Sequence, residues 1–134
     1  MFLCLIVGTI YSYSQCSFPS GATQNGATQS FCVSAPPQSQ NVSNVTGNNF
    51  ILLNVVQGFT YEFSVGDAFP SNSENLDIFN MSNINIGFSS GPNGATITNW
   101  VAPYSGQVKI VLSFDACNFS SVSGRIITVS LVNV

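Results

Sequence analysis

An all-β fold, an antiparallel two-sheet β-sandwich of about eight strands with jelly-roll or Greek-key connections, is predicted by three features of this 134-residue chain. Large apolar residues recur with a period of two, clusters of Gly, Pro and Asn separate the runs, and no stretch carries the stripe of an amphipathic helix. A closed barrel is the second architecture that such a pattern admits.

The order of elements begins with an apolar run, MFLCLIVGTI from Met1 to Ile10, of signal-peptide length and too short to span a bilayer. Small residues follow at Ser12 and Ser14, so residues 1–14 are expected to be an export signal cleaved before Gln15 or Cys16, although no Lys or Arg follows Met1. A first strand of the fold is the alternative reading of this run. Residues 15–48 form a Ser-, Thr- and Gln-rich lead segment with a short edge strand at 31–34. Residues 49–134 are the sandwich core of the same single domain.

The clearest strand is Gly58 to Val65, where Phe59, Tyr61, Phe63 and Val65 share one face. Val108, Ile110, Leu112 and Phe114 repeat the pattern with Lys109 and Ser113 outward, as do Ile127, Val129 and Leu131 with Thr128 and Ser130 outward. Further strand-length runs occupy 50–55, 76–81, 84–88 and 95–101. Turn residues fall between them at Pro36-Pro37, 46–49, Gln57-Gly58, 69–72, 91–94 and 104–106.

Charge decides what chemistry is open to the chain. Two basic and five acidic residues, net charge −3 and no histidine exclude a histidine-based nucleophilic triad, a histidine-ligated zinc and the neutralisation of a nucleic-acid backbone. The acidic balance argues against attraction to an anionic membrane, and no membrane insertion is expected after signal removal. In place of charge stand 20 Ser, 8 Thr and 15 Asn, side chains that favour turns and sheet surfaces over helices. Nothing calls for a cofactor, and no enzymatic activity is expected.

Removal of the signal leaves Cys16, Cys32 and Cys117, an odd number that permits one internal disulfide. Cys16 to Cys32 is the favoured pair, because a loop of that length would contribute about 3 kcal/mol in the chain-entropy model. Cys32 to Cys117, or three free thiols, are the alternatives.

Two constellations suggest sites. Asn99, Trp100 and Tyr104 together offer aromatic faces and an amide, the elements of a sugar platform, against which stands a core position for the single Trp. Asp67, Glu74 and Asp77 form the main acidic cluster, a weak candidate for a hard cation, but the spacing fits no dedicated calcium loop and a solvated acidic loop is the simpler reading. Sequons at Asn41, Asn44, Asn80 and Asn118 are what an Asn- and Ser-rich chain produces by chance.

The stretch from Gly94 to Leu112, with Thr96-Ile97-Thr98-Asn99-Trp100-Val101-Ala102-Pro103 followed by Ser105-Gly106-Gln107-Val108-Lys109-Ile110 and then Cys117, resembles secreted β-sandwich modules of Bacteroidetes type related to bacterial pre-peptidase C-terminal domains. Gly58-Phe59-Thr60-Tyr61-Glu62-Phe63-Ser64 is similar to the strand that opens those modules. The resemblance spans roughly residues 50 to 132. It implies an accessory or adhesive β-sandwich of the kind attached to larger surface proteins or exported enzymes. The first expectation is a secreted or cell-surface module for adhesion or for binding glycans or surface proteins; the alternatives are a structural subunit of an extracellular layer or fibre that self-associates through uncharged strand edges, which the low charge favours, and an accessory domain of a larger secreted enzyme or adhesin.

Overall fold

The computed structural model describes residues 15–32, 36–66, 73–92, 95–114, 117–119 and 124–134. The expected signal at 1–14 lies outside them, as do Asp67 and part of the expected edge strand at 31–34. Residues 31 and 32 are not in a strand.

Nine strands are present among the described residues: β1 (Thr23–Gln24), β2 (Gln38–Val45), β3 (Asn49–Val55), β4 (Thr60–Gly66), β5 (Ser73–Phe79), β6 (Asn85–Pro92), β7 (Thr96–Val101), β8 (Gly106–Phe114) and β9 (Arg125–Asn133). They form two sheets, β1-β3-β8-β5-β6 and β2-β9-β4-β7. Every pairing is antiparallel except the short β1–β3 ladder. Leaving β1 aside, the strand order is that of a jelly roll, in which successive strands cross between sheets and only β5 and β6 form a hairpin within one sheet. The predicted sandwich is therefore present: the sequence-expected runs at 50–55, 108–114 and 127–131 lie in strands, and those at 58–65 and 95–101 do so from Thr60 and Thr96 onward. The first full edge strand is β2, downstream of the expected 31–34.

The interior follows from alternation. Leu53 and Val55 of β3, Leu76 and Ile78 of β5, Val108, Ile110 and Leu112 of β8, Tyr61 and Phe63 of β4, and Ile127, Val129 and Leu131 of β9 are all buried in one core between the sheets. The Tyr61 hydroxyl accepts the Val56 N–H at 3.0 Å, which satisfies a polar group at the core margin. Burial raises the pKa of that phenol, and the Val56 bond only partly offsets the effect.

Alternation alone misplaces Trp100. Strict period two sets it on the face opposite Ile97, yet both point inward, because Tyr61 pairs with Trp100 and Phe63 with Ile97, leaving Thr98 and Asn99 together opposite Glu62. Asn99 takes φ 53°, so this is a β-bulge with a left-handed residue, and it resets the phase of the strand. The same device recurs in β2, where the register shifts between Val42 and Val45 and Asn44 has φ 58°.

The middle of the outer face of the five-stranded sheet is covered, while Phe88 of β6 and Asn54 of β3 on the same face stay exposed. Lys109 and Ser113 do point away from the core as expected, but Ser113 is fully buried, as are Phe79 and Val111, and Leu52 is nearly so. The lead segment covers them. Phe18 packs edge-on against Phe79 at 5.3 Å and tilted against Phe50 at 5.8 Å, with the Lys109 ammonium 4.5 Å above its ring. Cys16 Sγ lies 3.7 Å from Ser113 Oγ. Beyond Phe18 the lead runs along the β3 edge: the N–H groups of Thr23, Asn25 and Gln29 donate to the carbonyls of Asn48, Phe50 and Leu52, and Asn54 donates back to Gln29. This segment is thus a third layer.

Candidate binding site

Trp100 and Tyr104 do not form an exposed sugar platform. Trp100 is half-buried against Tyr61 and Phe63, its ring centroid 5.8 Å from that of Phe63, and its indole N–H donates to the Ile86 carbonyl at 3.3 Å. It closes the gap between β6 and β7, and a Cβ on Gly87 would stand 2.9 Å from its indole nitrogen. The Tyr104 hydroxyl donates to the Gln107 carbonyl at 2.9 Å, and burial shifts its pKa upward. Asn99 is exposed and serves the bulge.

The acidic cluster is likewise divided. Glu74 and Asp77 lie in β5 rather than in a solvated loop, both buried. Three residues apart on a strand, they face opposite sides of the sheet. Glu74 points into the sandwich, where its Oε1 is 3.1 Å from Arg125 Nε of β9 and ties the two sheets together at one end. Burial raises its pKa, which Arg125 only partly counters. Arg125 also lies 5.3 Å from the Phe114 ring. Asp77 points outward beneath the lead segment, where Asn85 Nδ2 donates to its Oδ1 at 2.7 Å. Burial pushes its pKa up to about 6, against the lowering effect of Asn85 and the Cys16 backbone. Lys109, two register positions along β8, holds its ammonium on Asn83 and the Phe18 ring. No group of three or more potential metal ligands occurs among the described residues.

The disulfide joins Cys16 to Cys117, with Cα atoms 5.5 Å apart, and not Cys16 to Cys32. Cys32 is an exposed free thiol. The physical reason is the path of the lead: after Cys16 it follows β3 toward the opposite end of the sandwich, carrying Cys32 away, whereas the loop after β8 returns Cys117 to the start. That loop is tight, with Phe114 and Asn118 exchanging both backbone hydrogen bonds at 2.9 and 2.7 Å, and Cys117 adopts φ 61°.

Around this disulfide the chain builds a groove of about 640 Å³ lined by Gln15, Ser17, Phe18, Pro19, Ser20, Asn48, Cys117, Asn118 and Phe119. Three elements meet there: the lead, the β2–β3 turn and the loop after β8. The turn and loop are pressed together closely enough that a Cβ on Gly47 would collide with the backbone of Phe119, so only glycine fits. The described lining residues join amides and hydroxyls, which both donate and accept hydrogen bonds, with aromatic rings, and none of them is charged. Sequence reading missed it because its members lie in three distant segments and none is a residue type that marks chemistry.

The fold has a solved counterpart. The structure is similar to that of Aeromonas hydrophila PliG, a periplasmic lysozyme inhibitor of g-type lysozyme, with a TM-score of 0.53 and 16% sequence identity over 82% of this chain and 97% of that one. No curated protein matches the sequence. Residues 40–134, from within β2 to the C-terminal residue, match the model of the family described as "Domain of unknown function (DUF8695)", and the chain belongs to that family.

Proposed function

We propose that this chain is an exported, non-catalytic binding module that holds an uncharged extracellular polymer, a glycan or the main chain of a surface protein, in the groove beside the Cys16–Cys117 disulfide. The observation that carries this reading is the groove itself, where loops at one end of the sandwich present amides and aromatic rings, with no charged group among the described lining residues. Neutral polymers match such a lining: ring faces pack on aromatics while hydroxyls or peptide groups meet amides. Export is supported by the disulfide, which belongs to an oxidising compartment, by the apolar run at 1–10, and by the resemblance to secreted β-sandwich modules. The periplasmic inhibitor shows the same fold serving non-catalytic contact with a protein.

A role as a self-associating fibre subunit fits the geometry less well. Both edges of the four-stranded sheet, β2 and β7, are kinked by bulges. In the other sheet the lead covers β3, and β6 ends on Pro92, which has no N–H to offer. These features obstruct edge pairing without charge.

The test is binding of the oxidised protein to arrays of neutral glycans and extracellular proteins, repeated with Asn48→Ala and Asn118→Ala. Retained melting temperature with binding weakened tenfold or more supports the groove. Unchanged binding by both variants contradicts it.

A further inference from the structure

We infer that Cys16–Cys117 is a redox latch: oxidised, it holds the lead segment across the five-stranded sheet and completes the groove; reduced, it releases residues 15–30 and dismantles the groove. The inference rests on the reading of the groove as the binding site only for its functional consequence; the latch itself stands on geometry.

Of the nine described residues that line the groove, five, Gln15, Ser17, Phe18, Pro19 and Ser20, belong to the lead, and two of the other four are Asn118 and Phe119, next to the other cysteine. The two halves of the site are therefore joined by the bond under discussion. Apart from it, the lead is held mostly by hydrogen bonds at an exposed margin, among them Asn49 Nδ2 to Thr23 Oγ1 and Asn54 Nδ2 to Ser30 Oγ. Between Pro19 and Phe31 its apolar side chains are only Ala22 and Ala27, the rest being Gly, Ser, Thr, Gln and Asn, too polar for burial to offset the entropy of ordering. Its ladder to β3 is parallel and two residues long, with one further bridge at Gln29–Leu53. Its apolar anchors are Phe18, seated next to the disulfide, and Phe31 at the far end, which packs on the core 6.3 Å from the Tyr61 ring. The family match begins at Gln40, so the lead precedes the shared domain.

Reduction needs a thiol reductant. Its thiolate attacks Cys117 sulfur, on the half-exposed side of the bond, while Cys16 is buried. The sulfur–sulfur bond breaks, Cys16 leaves as a thiolate 3.7 Å from the Ser113 hydroxyl and takes a proton. A second reductant thiol then resolves the mixed disulfide, so that two electrons and two protons pass to the protein and the reductant becomes a disulfide. What the departing lead uncovers is specific: the β3 edge carbonyls of Asn48, Phe50 and Leu52, and the apolar face of Leu52, Phe79 and Val111.

The experiment is hydrogen exchange read by mass spectrometry on the Cys32→Ser protein, oxidised and in excess dithiothreitol, with Cys16→Ser as a second route to the open state. The expected result is loss of tenfold or more in protection across 15–30, with β4, β8 and β9 still protected. Unchanged protection in the lead overturns the latch, and so does simultaneous loss across all strands, which would make the bond a staple of the whole fold. Glycan-array binding is measured on the same samples: a released lead with undiminished binding leaves the latch standing and overturns the groove as the site.

Discussion

Asp77 is the residue whose surroundings make the sharpest solution prediction. Its pKa is about 6 in the fold against an ordinary 3.8, so between those values the folded chain holds more protons than the unfolded one. Its stabilising contribution is complete below pH 3.8 and is lost as pH rises through about 6; a shift of two units corresponds to about 3 kcal/mol. Glu74, also raised, acts in the same direction. Denaturant melts at a series of pH values should show stability declining across this window, and Asp77→Asn should make the decline shallower. A variant with the original slope would place the cause elsewhere. Glycine 47 supplies a second residue-level prediction: Gly47→Ala must push Phe119 backbone away, at about 1–3 kcal/mol for overpacking. Trp100→Ala should cost a comparable or larger amount, about 3 kcal/mol, and lower the melting temperature, as expected for a side chain that packs on Tyr61 and Phe63. At this scale the sequence was an uneven guide. It weighed a core position for Trp100 and set Asp77 in a strand-length run, but read the acidic cluster as a solvated loop, because a carboxylate in a polar run gives no sign of the sheet that will bury it.

Among the elements, strands were legible and their edges were not. Period two located β4, β8 and β9, since each buries one face against a single core, and runs of strand length between turn residues located β3 and β7. The bulges at Asn44 and Asn99 escaped because a left-handed Asn in a strand is indistinguishable by type from the many Asn in turns. They explain how a chain with almost no charge manages its edges. Asn99→Val, which disfavours φ 53°, should destabilise the fold by about 1–2 kcal/mol and increase light scattering on heating, while Asn99→Gly should do neither to the same degree. The buried Glu74–Arg125 pair joins β5 to β9 across the sandwich. Removing one partner alone, as in Arg125→Met, should cost about 3–5 kcal/mol by stranding a buried carboxylate.

For the whole molecule, the lead segment changes the picture from two layers to three. Sequence reading favoured Cys16–Cys32 because closing its loop would contribute about 3 kcal/mol, but the jelly-roll path brings together cysteines 101 positions apart. Only the assembled topology reveals that, and with it the groove. The seven charged residues narrowed the catalytic chemistry open to the chain from the outset, and the proposed binding in the groove gives that scarcity a role in contact. The most direct measurement is a chemical-shift titration of isotopically labelled, oxidised protein with the neutral polymer that binds on the arrays. Shifts concentrated at Gln15–Ser20, Asn48 and Cys117–Phe119 are the predicted result; shifts confined to β6 and β7, or scattered over the sandwich, would contradict the account.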